Sequence, residues 1–317
     1  MPGCQVMILK DGKVFYDKSF GYHTYAKKQK VRSTDLYDLA SVSKIAGTTL
    51  AGMKLYENKR FDLDKSIADY LEGTKRPKVR RVKVRQLFTH RSGLQSNMPI
   101  SKYLKKAKNL KGNQNKYFSK TPQGDYDIAV GDDLYFNKKW AEKLKLDIHN
   151  LRVRKRGRHL YSDVNFNLIM QMVENVSKLP MDDYLDRQFY RPLNLRTIGY
   201  NPLKRFPKSS IVPTAHDLMW RRQVLRGYVH DEAASLMGGV GGNAGLFSNA
   251  NDLAILFQML QNGGSYGGQQ LLDKATVDDF TISRYGRRRA LGFETKTKKG
   301  TGSCSKYASS KTYGHKG

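Results

Sequence analysis

The chain has 317 residues, 39% of them hydrophobic, enough to build the core of one large two-lobed domain or of two domains. No run of about 18 apolar residues occurs, which excludes a helical membrane span. Lys and Arg number 57 against 28 acids, a formal net charge of +29, densest in the runs 75–91, 102–120 and 152–158. Such runs suit an anionic polymer. No helix-turn-helix, zinc finger or aromatic RNA-binding motif accompanies them, so specific nucleic-acid recognition is not expected. The same charge also fits a merely solvated basic surface. Cys4 and Cys304 are too few for a disulfide framework, and the seven His are scattered without ligand spacing, so neither a metal nor a cofactor is expected.

No secretory leader is read at the N-terminus, and Cys4 lacks the preceding apolar stretch of a lipid anchor. Gln5–Lys10, Asp11-Gly12 and Lys13–Tyr16 read as a β-hairpin, the second strand running on towards Tyr22. Leu39-Ala40-Ser41-Val42-Ser43-Lys44 follows, where Ser41 opens a helix and Lys44 lies on the same face about one turn along. The apolar, small-residue continuation Ile45–Leu55 predicts a buried helix. A Ser at a helix start with an ammonium one turn away is placed to become a nucleophile, although the hexapeptide alone equally describes an N-cap Ser and a solvated Lys.

After a turn near Asn58, a short helix is predicted from about Asp64. Another is predicted over Val82–Leu94, ending at a Gly93 C-cap, with His90 as a structural ring holding the turn. The stretch from Gln95 to about Arg158 is polar, basic and poorly patterned, and reads as an irregular lid or insertion. Tyr161-Ser162-Asp163-Val164-Asn165 opens an apolar helix through Val173, and Met181–Leu185 begins the next, closed by Tyr190–Leu195. The Gly-rich 238–248 lacks the Gly-Lys-Ser/Thr ending of a phosphate loop and reads as a tight loop feeding the helix Ala250–Gln261. Ala290–Glu294 reads as a strand.

Four stretches, Ser41-Val42-Ser43-Lys44, Thr89–Leu94, Tyr161-Ser162-Asp163 with Asn165, and His315-Lys316-Gly317, together resemble the signatures of the serine β-lactamase and penicillin-binding-protein superfamily. The closer likeness is to its class C-like branch of esterases, D-Ala-D-Ala peptidases and β-lactamase-related proteins, with Tyr190–Leu195 and Gly239–Ser248 adding to it. The resemblance implies an α+β fold of one β-lactamase-related domain over 1–317. Its antiparallel sheet lobe (about 1–55 and 285–317) would be flanked by helices, and its mostly helical second lobe and lid would span about 56–284.

The resemblance further implies an acyl-transfer serine hydrolase acting on an ester or amide, in esterase, cell-wall peptidase or β-lactamase fashion, without metal or cofactor. Ser41 would be the nucleophile, Lys44 its activating neighbour and Tyr161 the proton carrier. Asp163, His315, Lys316 and Gly317 would bind substrate, the last three as a strand along the cleft. Partners would be a small or peptidoglycan-derived substrate and, through the basic surface, an anionic polymer. A non-catalytic module holding such a polymer is the rival reading. An extracytoplasmic setting and, in the parent protein, fusion to a glycoside hydrolase domain are also expected.

Two departures stand out. Asp163 occupies a position often filled by Asn in the family. An ionised carboxylate there favours a charged Lys44, making it a poorer base and leaving Tyr161 as proton acceptor. The second oxyanion donor, two further strands and a C-terminal helix would also lie beyond Gly317, so this stretch is expected to be a poorly active or poorly folded fragment of an active parent.

Overall fold

The computed structural model describes residues 2–283, 289–296 and 305–317. Cys304, Met1 and part of the sheet-lobe range 285–317 fall outside them. The first hairpin forms as predicted. Strands Gly3–Lys10 and Lys13–Gly21 pair antiparallel from Gly3 opposite Gly21 to Lys10 opposite Lys13, with a bulge at Ile8/Leu9. Asp11 and Gly12 turn the chain with φ of 52° and 74°, the left-handed pair that a two-residue turn needs to match strand twist.

The remaining strands are short and antiparallel. Tyr37–Asp38, Leu246–Ser248 and Gly199–Tyr200 form a three-stranded sheet with Leu246–Ser248 in the middle. The expected strand over 290–294 shrinks to Glu294–Thr295, paired with Tyr313–Gly314. Ala290, Leu291 and Phe293 instead turn into the core. His315–Gly317 continue beyond that ladder rather than within it.

The helix expected to open at Ser41 is compound. A 3-10 turn spans Ala40–Val42, a π segment spans Lys44–Thr48, and the regular α-helix covers Thr49–Glu57. All five π residues and six of the nine α residues are buried, which accounts for the small, apolar composition. This helix packs against Asp163–Ser177 and Lys274–Thr281. Between them Phe88 meets Phe61, Phe166 and Phe280 edge-on, with ring centroids 5.5–6.4 Å apart, a geometry that adds to burial energy.

Three expectations change. The turn after Asn58 leads to a single 3-10 turn, Ile67–Asp69, capped reciprocally by Ser66 and Asp69, and not to a helix from Asp64. The helix expected over 82–94 covers only Val84–Phe88. It ends because His90 adopts φ 55° and turns its ring inward, after which the backbone bonds across to 154–160. The expected irregular lid is ordered. Helices Ser101–Lys108 and Lys138–Asp147 flank a sheet of Phe118–Ser119, Leu134–Asn137 and Tyr126–Gly131. Its few core residues, Phe118, Val130, Leu134 and Phe136, are diluted in sequence by Lys-rich exposed faces, which hides their periodicity.

Candidate active site

The site is built where the Ser41 turn meets the start of the helix Asp163–Ser177. Ala40, immediately before Ser41, holds φ 44°, a left-handed conformation that costs a non-glycine residue roughly 1–2 kcal/mol. The Asp38 carboxylate maintains it by accepting the Ala40 N–H at 2.9 Å, and its other oxygen accepts the His230 N–H at 2.8 Å. Burial holds the Asp38 carboxyl above its ordinary range against these bonds.

Ser41 Oγ lies 2.8 Å from Lys44 Nζ and 2.9 Å from the Tyr161 hydroxyl. The Lys44 side chain is completely buried, and its ammonium faces three oxygens: Ser41 Oγ, the Asn243 carbonyl at 3.0 Å and Asp163 Oδ1 at 2.7 Å, the last as an ion pair. Lys44 Nζ donates hydrogen bonds to Ser41 Oγ and the Asn243 carbonyl, and its contact with Asp163 is an ion pair without hydrogen-bond geometry. Lys44 Nζ also lies 5.0 Å from the centre of the Tyr161 ring, and the Arg289 guanidinium lies 5.7 Å from the same ring.

His90 supports this arrangement from behind. It is fully buried, its ring lies against Tyr161 with centroids 4.4 Å apart, and its Nδ1 accepts the Ser162 N–H at 3.0 Å. Burial, then the nearby Arg289 and Lys44 charges, holds it well below the usual imidazole range. A neutral ring with Nδ1 accepting carries its proton on Nε2. Ser92 links the same turn to the helix by donating to Asn165 Oδ1 at 2.7 Å.

The Gly-rich stretch closes the other side. Thr48 Oγ1 donates to the Gly242 carbonyl at 2.7 Å, the Gly242 N–H donates to Asn167 Oδ1 at 2.9 Å, and Asn167 Nδ2 donates to Asn243 Oδ1 at 3.0 Å. A Cβ at Gly242 would fall 2.1 Å from the Phe166 carbonyl oxygen, so only glycine lets the loop approach closely enough to offer the Asn243 carbonyl to Lys44.

Ser41, Lys44, Tyr161 and Asp163 are therefore brought together. His315 lies at the rim, its ring centre 6.1 Å from that of Tyr161. Burial, aided by Lys44 and Arg289, lowers it to about 4 despite its bond to Lys316. Its neutral ring donates from Nδ1 to the Lys316 carbonyl at 2.6 Å. Lys316 itself is exposed. Gly317 packs on the turn that carries Ser41, since a Cβ there would lie 2.4 Å from the Leu39 carbonyl oxygen.

Sequence reasoning missed Asn243 and Asn167, although the glycines around Asn243 marked a close approach, and it missed Arg289. That residue is only 7% exposed and pairs with Glu294 at 2.9 Å.

A family model described as Beta-lactamase matches residues 1–317. Over 346 aligned residues the chain is 30% identical to a protein named N-acetylmuramyl-L-alanine amidase from Bacillus subtilis (strain 168), covering all of this chain and 72% of the relative. It is 32% identical to an Escherichia coli (strain K12) protein that carries the provisional name D-alanyl-D-alanine carboxypeptidase, covering all of this chain and 73% of that one. In structure it resembles the octameric penicillin-binding protein homologue from Pyrococcus abyssi, with a TM-score of 0.67 at 21% identity over 93% of this chain and 61% of the other. The fold is that of the penicillin-binding proteins and β-lactamases.

Proposed function

Because the chain belongs to the β-lactamase family of serine hydrolases, we propose that Ser41 forms an acyl-enzyme with the peptide of a cell-wall substrate, at the envelope. The observation that carries this reading is the meeting of Lys44 Nζ and the Tyr161 hydroxyl on one oxygen, Ser41 Oγ, at 2.8 and 2.9 Å. Ser41 Oγ attacks the carbonyl carbon, and its proton passes to the oxygen of Tyr161 reacting as its phenolate, beside the Lys44 and Arg289 cations. Collapse of the tetrahedral intermediate breaks the C–N or C–O bond, and Tyr161 returns a proton to the leaving atom. Water then cleaves the acyl ester by the same steps in reverse order.

Lys44, hydrogen-bonded to Ser41 Oγ and the Asn243 carbonyl and ion-paired with Asp163, acts as a fixed positive charge beside the developing alkoxide rather than as a base. Asp163 pairs with it and holds it in place, and His315, Lys316 and Gly317 border the cleft through which substrate approaches. The wall-related names of the two curated relatives support a peptide substrate and an envelope setting.

The test is intact mass spectrometry after exposure to a fluorophosphonate, with turnover measured on a D-alanyl-D-alanine peptide and on a simple ester. A single adduct is expected, absent in Ser41→Ala. Tyr161→Phe is expected to slow acylation by about 10²- to 10⁴-fold, and Asp163→Asn to change the pH–rate profile. An adduct that persists in Ser41→Ala would end this assignment.

A further inference from the structure

No acidic residue occurs between Glu72 and Asp125, nor between Asp147 and Asp163, and the fold lays parts of these two stretches side by side. The Arg154 N–H donates to the Gly93 carbonyl and the Gly157 N–H to the Arg91 carbonyl, both at 2.9 Å. The Leu160 N–H donates to the His90 carbonyl at 2.8 Å. Arg156 Nη1 reaches the Arg81 carbonyl at 2.8 Å, and Asn150 Oδ1 accepts the Lys75 N–H at 2.9 Å. Val79, Val82 and Val153 are buried, which forces the cations between them outward. Lys75, Arg76, Lys78, Arg80 and Arg81 are exposed on one stretch, and Arg152, Arg154, Lys155, Arg156 and Arg158 on the other. Among the described residues none of these cations has a carboxylate partner; Asp64 is taken by Lys83 and Arg85. The second stretch runs directly into Tyr161, so the patch ends at the site.

We propose that this patch binds a linear polymer with phosphates in its backbone and no bases, holding the enzyme on the wall beside its peptide substrate. The identity of the polymer rests on the wall-directed reading above; the patch itself does not. Arginine dominates it, and the guanidinium fork matches phosphate oxygens in pairs. A single-stranded nucleic acid would call for stacking platforms, and none of the exposed side chains Phe15, Phe20, Tyr25 and Tyr307 lies in either stretch, where the imidazole of His159 is the one exposed aromatic ring.

The test measures binding of poly(glycerol phosphate) and of single-stranded DNA of matched charge, over a range of salt, by wild type, by Ser41→Ala and by the triple variant Arg152→Gln/Arg154→Gln/Arg158→Gln. Thermal melting would show that the triple variant is folded. Each phosphate contact adds roughly 0.7–0.9 to the slope of log affinity against log salt. The triple variant should therefore lose about 2–3 in slope and at least about tenfold in affinity at ~0.1 M salt, while its turnover of a small ester is unchanged. Unaltered binding by the folded triple variant overturns the proposal, as does tighter binding of DNA than of poly(glycerol phosphate). Retained polymer binding with no acylation of Ser41 would instead remove only the hydrolase reading.

Discussion

Ser41 is the residue on which the others converge, and its neighbours divide their work by charge. Lys44 is buried and paired with Asp163, whereas His90 is buried and His315 half-buried, both without charge. The two imidazoles make stability depend on pH with a definite sign. Unfolded, each titrates near 6.5; folded, His315 titrates near 4 and His90 also well below its ordinary value. Between those values the unfolded chain binds more protons, so stability is full above about 6.5 and falls as pH drops towards 4. His315→Asn should flatten part of this loss. Urea denaturation of both proteins at about pH 7 and pH 4.5 checks it; an equal loss in the two proteins would rule out a contribution from His315.

The compound helix from Ala40 to Glu57 shows how an element positions chemistry. Its 3-10 opening, π segment and α-helical body are not regular because Lys44 must reach Asp163 while the following residues pack between two other helices. The closest contact is at Gly52, where a Cβ would lie 2.6 Å from Phe88 Cζ. Replacing a helical glycine with alanine ordinarily gains about 1 kcal/mol. Here Phe88 is fully enclosed by three aromatic rings and cannot yield, so overpacking at roughly 1–3 kcal/mol dominates. Gly52→Ala should therefore lower stability by about 1–2 kcal/mol in urea; a gain would mean that the Phe88 ring moves aside. Prediction of this element from sequence succeeded for its position and burial, since small apolar residues leave few alternatives. It failed for the helix type, which depends on partners distant in the chain.

At the scale of the whole molecule, a net charge of +29 works against compactness through self-repulsion. The opposing ion pairs are mostly exposed, such as Lys139–Asp125 and Lys274–Asp278, and exposed pairs contribute little. Screening should therefore relieve more repulsion than attraction. Raising NaCl from about 0.02 to about 0.3 M, which shortens the Debye length severalfold, is expected to raise Tm by a few degrees in a thermal melt. A fall in Tm would show that the ion pairs outweigh the repulsion.

The sequence by itself determined the hairpin, the buried helices and the supporting role of His90, which depend on short-range patterns: an Asp-Gly turn, 3.6-residue periodicity and a helix-ending turn. The grouping of Ser41, Lys44, Tyr161 and Asp163 came from resemblance to a family, since only Ser41 and Lys44 are close in the chain. Tertiary structure alone decided that the lid is an ordered subdomain, that Asn243 offers a carbonyl to Lys44, that Arg289 is buried beside Tyr161, and that two basic stretches form one patch. Each of these is a contact between residues far apart in the chain, and a long-range contact leaves no periodic trace in the segments it joins.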